Sequence, residues 1–302
     1  MGLTFKTLIE LTAPYYLAIV FVSPFAAYLL INGALPGSQF LFVVASLVFC
    51  VLGFNVSNAI FDAELDAVTK PRRPIPSKTV SIKDAAMLAV LFYLLGLSIA
   101  VLVNTLFVSL VLLFILVTML YNIPQTKLRN RSWGSNVTGA IIYGAIPFLS
   151  AYSVSNGNPV PIFFFAFFVM LFTIISSSKD FEDVVGESET ERKSIPILLG
   201  EELTGKIILL SEFLVLSCMG GLAITNAIPF KFLYATAFSA VLFVVTGYFF
   251  WKAVLAISKQ NSLIRHTHHQ KLKTIVLQST AVTISLIFVL ATQLAFGLVA
   301  LI

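Results

Sequence analysis

The 302-residue chain is 58% hydrophobic and only 11% charged, with a formal net charge of +5 and a mean hydropathy of +0.97. An ordinary soluble domain carries about 25% charged residues, so this composition excludes a soluble globular fold and calls for a multi-pass protein of the bilayer. The surplus of positive charge is read as a membrane-orientation signal, and no nucleic-acid partner is expected from it.

Nine apolar stretches follow one another, at 13–31, 40–61, 85–103, 105–121, 136–153, 160–178, 206–225, 232–255 and 275–301. Each approaches the ~20 residues that cross a hydrocarbon core. None alternates apolar and polar positions as barrel strands do, and helices satisfy their own backbone groups in lipid. The expectation is an all-α membrane protein, one polytopic domain over 1–302, with nine transmembrane helices around one central cavity. The first stretch is entered through Glu10-Leu11-Thr12-Ala13-Pro14-Tyr15. It is longer than a secretory h-region and lacks a small-residue cleavage site, so it is kept as a span. Cys50 and Cys218 fall inside apolar stretches, where packing is their expected role.

The second stretch ends in Asn58-Ala-Ile-Phe-Asp62-Ala-Glu-Leu-Asp66 and runs into Lys70-Pro71-Arg72-Arg73-Pro74. At 3.6 residues per turn, positions 58, 62 and 66 share one helix face. Two carboxylates one turn apart repel unless a cation lies between them, and a hard divalent ion with oxygen ligands, Mg2+ above all, is the natural occupant. The fourth stretch leads to Tyr121-Asn122-Ile123-Pro124 and Lys127, and the fifth contains Tyr143. The sixth ends in Lys179-Asp180-Phe-Glu-Asp183-Val-Val-Gly-Glu187, where 180, 183 and 187 again fall on one face. If the two helix ends face each other, their oxygen ligands surround a space for Mg2+ and a diphosphate.

The basic residues give an orientation. With the N-terminus inside, 18 of the 19 Lys and Arg lie on the inner side and Lys231 alone lies outside, as the positive-inside rule requires. All 14 acidic residues share that inner side. A cell-membrane protein with its active site facing the cytoplasm is therefore expected.

With these residues in view, the chain resembles the UbiA superfamily of intramembrane prenyltransferases. The N-x-x-x-D-x-x-x-D motif stands as Asn58, Asp62 and Asp66, and the second D-x-x-x-D motif as Asp183 and Glu187, with Glu in place of the final Asp. Ser194-Ile195-Pro196-Ile197-Leu198-Leu199-Gly200 resembles the family segment that follows. The resemblance implies a Mg2+-dependent transfer of a polyprenyl group from its diphosphate to a lipid or aromatic acceptor. It gives Asp62, Asp66, Asp183 and Glu187 the catalytic role, with Asn58 and Asp180 as further candidate metal ligands. Substrate binding is carried to Asn58, Lys70, Arg72, Arg73, Tyr121, Lys127, Tyr143 and Lys179. The run from 179 to 183, with Arg72-Arg73-Pro74-Ile75-Pro76-Ser77, is most like family members that add a second geranylgeranyl chain to geranylgeranylglyceryl phosphate. Two alternatives stand beside this: prenylation of an aromatic acid, and a polytopic transporter, although apart from Glu212 no span carries a charge near its centre.

Overall fold

The computed structural model describes residues 4–123, 125–126, 128–155, 161–182, 184, 194–263 and 268–302. The elements in chain order are α1 (Phe5–Thr12), a 3-10 turn (Pro14–Tyr16), α2 (Leu17–Asn32), α3 (Gln39–Phe61) and α4 (Ala63–Thr69). They continue with α5 (Ile82–Val101), α6 (Thr105–Asn122), α7 (Gly134–Gly139), a π-helical segment (Ala140–Ala145) and α8 (Ile146–Ser153). The chain closes with α9 (Ile162–Lys179), α10 (Ile195–Leu199), α11 (Glu201–Ile224), α12 (Phe232–Leu263) and α13 (His268–Ala300). Among the described residues no strand occurs.

Among the described residues seven helices are long and apolar enough to cross a membrane, with mean hydropathies of 1.9 to 2.4. The stretch at 13–31 departs from a plain span. It is a bent pair, α1 and α2 meeting at 56°, and counts as an eighth crossing if the two are taken as one. The break has a local cause: Ala13 adopts φ 43, ψ 64 immediately before Pro14, and proline disfavours a helical conformation in the residue before it. The stretch at 136–153 is helical from Gly134 to Ser153 but divided by the π segment into three short pieces.

The helices close into a ring in which α2, near the start, packs along α13 at the end. Gly297 of α13 lies so close to α2 that a Cβ there would stand 2.9 Å from the Cα of Ala26. Small residues at such crossings let backbones approach, which in lipid replaces the hydrophobic drive between helices. α3 packs along α5, where Ser46 Oγ donates to the Gly96 carbonyl at 2.7 Å. α9 is central and meets α7, the π segment, α11 and α13. The largest core cluster is rich in phenylalanine, with Phe107, Phe114, Phe148, Phe168 and Phe296 fully buried. Outward faces carry exposed apolar side chains instead, as on α12 with Val241, Val244, Val245 and Phe249. That inversion of the soluble pattern is what a lipid-facing surface requires.

Candidate active site

The site is built where α3 runs into α4. Their junction is Asp62, with φ −86 and ψ 0, yet the i to i−4 backbone bonds continue through it: Asp62 N–H to Asn58 C=O at 2.8 Å, Asp66 N–H to Asp62 C=O at 2.7 Å, and Lys70 N–H to Asp66 C=O at 2.7 Å. The helical ladder thus continues through the junction, and Asn58, Asp62, Asp66 and Lys70 all line one cavity. Arg73 reaches the same space from the turn that follows, together with Pro74, Ile75 and Pro76.

Inside the cavity the carboxylates are already organised. Asn58 Nδ2 donates to Asp62 Oδ2 at 2.6 Å. Arg73 Nη1 donates to Asp66 Oδ2 at 2.8 Å, an ion pair in which the Asp66 side chain is 4% exposed and that of Arg73 is 32% exposed. Part of the repulsion between Asp62 and Asp66 is therefore offset by a guanidinium from the chain itself, a charge-assisted bond of the stronger kind.

The opposite wall is aromatic. Tyr143 projects from the π segment and stacks on Tyr16 with ring centroids 6.2 Å apart and planes at 14°, and on its other side meets Phe172 of α9 at 6.1 Å. π turns inside helices frequently mark functional sites because they re-aim one side chain; here the re-aimed residue faces the cavity. Lys179, the last residue of α9, lines the same cavity with its Nζ 6.0 Å from the centroid of the Tyr16 ring, within the range of a cation–π contact. Tyr121 and Phe54 complete the apolar side, edge to face at 6.2 Å.

The sequence candidates fall into three groups. Asn58, Asp62, Asp66, Lys70, Arg73, Tyr121, Tyr143 and Lys179 converge on the cavity. Arg72 is exposed and is absent from its lining. Asp180 is also absent from the lining: it is 1% exposed at the start of the 3-10 turn Asp180–Glu182 that follows α9, where Ser135 Oγ of α7 donates to its Oδ2 at 2.8 Å. Lys127, Asp183 and Glu187 lie outside the described residues. Among the described residues no three His, Cys, Asp or Glu side chains form a metal-binding group; the ladder of the near wall supplies the two carboxylates of Asp62 and Asp66 and the amide of Asn58. Their chemistry fits a hard cation: all are oxygen donors, in a charge-bearing pocket, with no sulfur or imidazole among the lining residues.

Sequence reasoning did not single out Asn55, Tyr16 or Glu10, which also line the cavity. Asn55 precedes Asn58 by three positions, so helix periodicity extends the 58, 62, 66 face back to it. Tyr16 gives no such signal, because it reaches the site through the α1–α2 bend.

Comparison with known proteins follows the same lines. The UbiA prenyltransferase family pattern matches residues 17–264. The digeranylgeranylglyceryl phosphate synthase of Methanococcus maripaludis (strain C6) is 33% identical over 165 residues, 54% of this chain and 57% of that protein. The synthase of the same name from Methanopyrus kandleri is 31% identical over 199 residues, covering 65% of this chain and 70% of that protein. The match to the M. maripaludis relative thus spans less than two thirds of its length. Among solved structures, one concerned with digeranylgeranylglyceryl phosphate synthase in membranes superposes with a TM-score of 0.65 over 98% of both chains, at 21% identity. A UbiA homolog from Archaeoglobus fulgidus bound to DMAPP and Mg2+ superposes with a TM-score of 0.63 over 98% of this chain and 99% of its own, at 16% identity. The fold is shared with these two solved structures, and with most of its length matching the family pattern, the chain belongs to the UbiA prenyltransferase family.

Proposed function

We propose that this protein transfers a polyprenyl group, geranylgeranyl in the first instance, from its diphosphate to geranylgeranylglyceryl phosphate, with Mg2+ as cofactor. The observation that carries this reading is the meeting, in one cavity, of the Asn58, Asp62 and Asp66 ladder with Lys70, Arg73 and Lys179 and an aromatic wall. The kinship with synthases of that activity supports the lipid acceptor.

In this reading Asp62 and Asp66, with Asp183 and Glu187 from the second motif, hold the metal, and Asn58 orients Asp62. Bound there, Mg2+ would supply positive charge to offset that on the departing diphosphate. Lys70 and Lys179 bind the outer phosphate oxygens as point charges, and Arg73 holds Asp66 in place while presenting its remaining donors to the same ligand. The allylic C–O bond breaks and its electron pair leaves with the diphosphate. An acceptor hydroxyl oxygen then forms the new C–O bond and releases its proton. Tyr16, Tyr121, Tyr143 and Phe54 exclude water from the allylic cation, which water would otherwise capture.

The whole chain acts as one domain with nine crossings, counting α1 with α2 as one span and Gly134–Ser153 as another. The cavity opens on the cytoplasmic face of the cell membrane, in keeping with the charge asymmetry of the loops. Cysteine labelling tests this: 63–82 and 179–202 should react from the cytoplasmic side, and labelling from opposite sides would end the one-cavity reading.

The activity is tested with purified protein, Mg2+, labelled geranylgeranyl diphosphate, and a panel of a glycerophosphate lipid and aromatic acids. Prenylated lipid with stoichiometric diphosphate is the expected outcome. Prenylated aromatic acid instead would move the protein to quinone-type chemistry, and solute flux without any prenylated product would make it a transporter.

A further inference from the structure

The bend between α1 and α2 is a strained element at the edge of the cavity. Ala13 is held in the left-handed region at φ 43, ψ 64, which is unfavourable for a residue with a Cβ, and Pro14 follows it directly. The conformation persists only if its surroundings hold it. One neighbouring side chain does so directly: Asn55 of α3 donates through Nδ2 to the Thr12 carbonyl at 2.7 Å and to the Ala13 carbonyl at 3.4 Å. Both carbonyls flank the strained residue.

What the bend aims is part of the site. Before it, Glu10 and Leu11 of α1 line the cavity; after it, Tyr16 does. Tyr16 is the ring on which Tyr143 stacks and over which Lys179 lies. Leu11 packs into the cluster of Val56, Ala85 and Phe92, anchoring α1 to α3 and α5, but a hydrophobic contact leaves the direction of the bend open where a hydrogen bond to its carbonyls does not.

We propose that Asn55 is a positioning residue: by clamping the Thr12 and Ala13 carbonyls it fixes the left-handed turn and so places Tyr16 against Tyr143 and Lys179 in the cavity wall. The inference rests on the prenyl-transfer reading for its catalytic consequence and on geometry alone for the clamp.

The test combines two variants and two readouts on the full-length protein in detergent. Asn55→Ala removes the donor, and Ala13→Gly in that background lets the turn adopt positive φ without the Cβ penalty. In Asn55→Ala the amides of residues 5–13 should exchange with deuterium about tenfold faster, the scale of one lost hydrogen bond. In turnover, kcat/KM should fall by about the same factor. The double variant should recover much of both. A purely structural loss would lower the amount of folded protein without being reversed by a glycine thirteen residues into the chain. Unchanged exchange in Asn55→Ala, or a double variant no better than the single one, would overturn the clamp. Faster exchange with wild-type turnover would overturn the positioning role. A wild-type protein that prenylates nothing would refute the prenyl-transfer reading instead, and the exchange data would still decide the clamp.

Discussion

Gly144 separates stability from catalysis in this site. It follows Tyr143 in the π segment and faces the backbone of α9: a Cβ built on it would lie 3.0 Å from Val169 Cα and 3.1 Å from the Phe168 carbonyl oxygen. Neither atom can rotate aside, so Gly144→Ala must push the π segment off α9 by a few tenths of an ångström. Overpacking of this kind costs about 1–3 kcal/mol, while replacing a helical glycine by alanine recovers about 1 kcal/mol. The melting temperature should therefore fall only slightly. Turnover should suffer more, because Tyr143 moves with the segment and a misplacement of about 1 Å near a reacting centre can cost about 100-fold; a shift of less than half that should lower kcat about tenfold. Gly221→Ala is the control, since a Cβ there meets nothing within 4 Å, and it should leave both quantities at or above wild type. Thermal melts by intrinsic fluorescence and turnover of labelled prenyl diphosphate, run side by side, decide the matter. Wild-type turnover in a well-folded Gly144→Ala would refute the idea that the π segment aims Tyr143 at the substrate.

Arg73→Met should lower thermal stability by about 1–3 kcal/mol, because it strips the guanidinium from the buried Asp66 carboxylate; Arg73→Lys should recover part of it, and equal melts for all three would show that the pair contributes nothing. Glu187→Gln should cut kcat by orders of magnitude if Glu187 is a metal ligand, while Glu187→Asp keeps much of it. Asp180→Asn should lose less than tenfold, since an amide oxygen still accepts from Ser135; the reverse order would move the second motif onto Asp180. Glu212, buried within α11 and absent from the cavity lining, should tolerate Glu212→Gln with full prenyl transfer. A selective loss of solute transport in that variant would support the transporter reading.

Much of the architecture was legible because hydrophobic length is a direct signal in lipid. The stretches at 40–61 and 105–121 fall within two residues of α3 and α6, Gln39–Phe61 and Thr105–Asn122. Beyond the apolar stretch at 232–255, α12 runs on to Leu263 through residues polar enough to stand in water, where hydropathy no longer reports a helix. The bend at Ala13 and the π segment at Ala140–Ala145 were not legible. Hydropathy averages over a window and cannot see a single left-handed residue or one extra residue in a turn. At the site, the ladder of Asn58, Asp62 and Asp66 followed from period alone, and it survives the α3–α4 junction because the backbone bonds bridge it. The pairing of Arg73 with Asp66 depends on how the chain turns after Lys70, and Asp180 shared its helix face with the second motif yet is turned to Ser135 by the packing of α7 on α9. Spacing defines faces; the packing of neighbouring helices decides which face meets the cavity.

The central claim is that the near-wall carboxylates serve diphosphate departure, and single-turnover diphosphate release from reconstituted wild-type protein and Asp62→Asn tests it most directly. Release should require added Mg2+ in the wild type, be abolished by chelation and restored by readdition. It should fall by at least about 100-fold in Asp62→Asn while that variant still melts as a folded protein. Metal-independent release, or wild-type release from Asp62→Asn, would contradict the account.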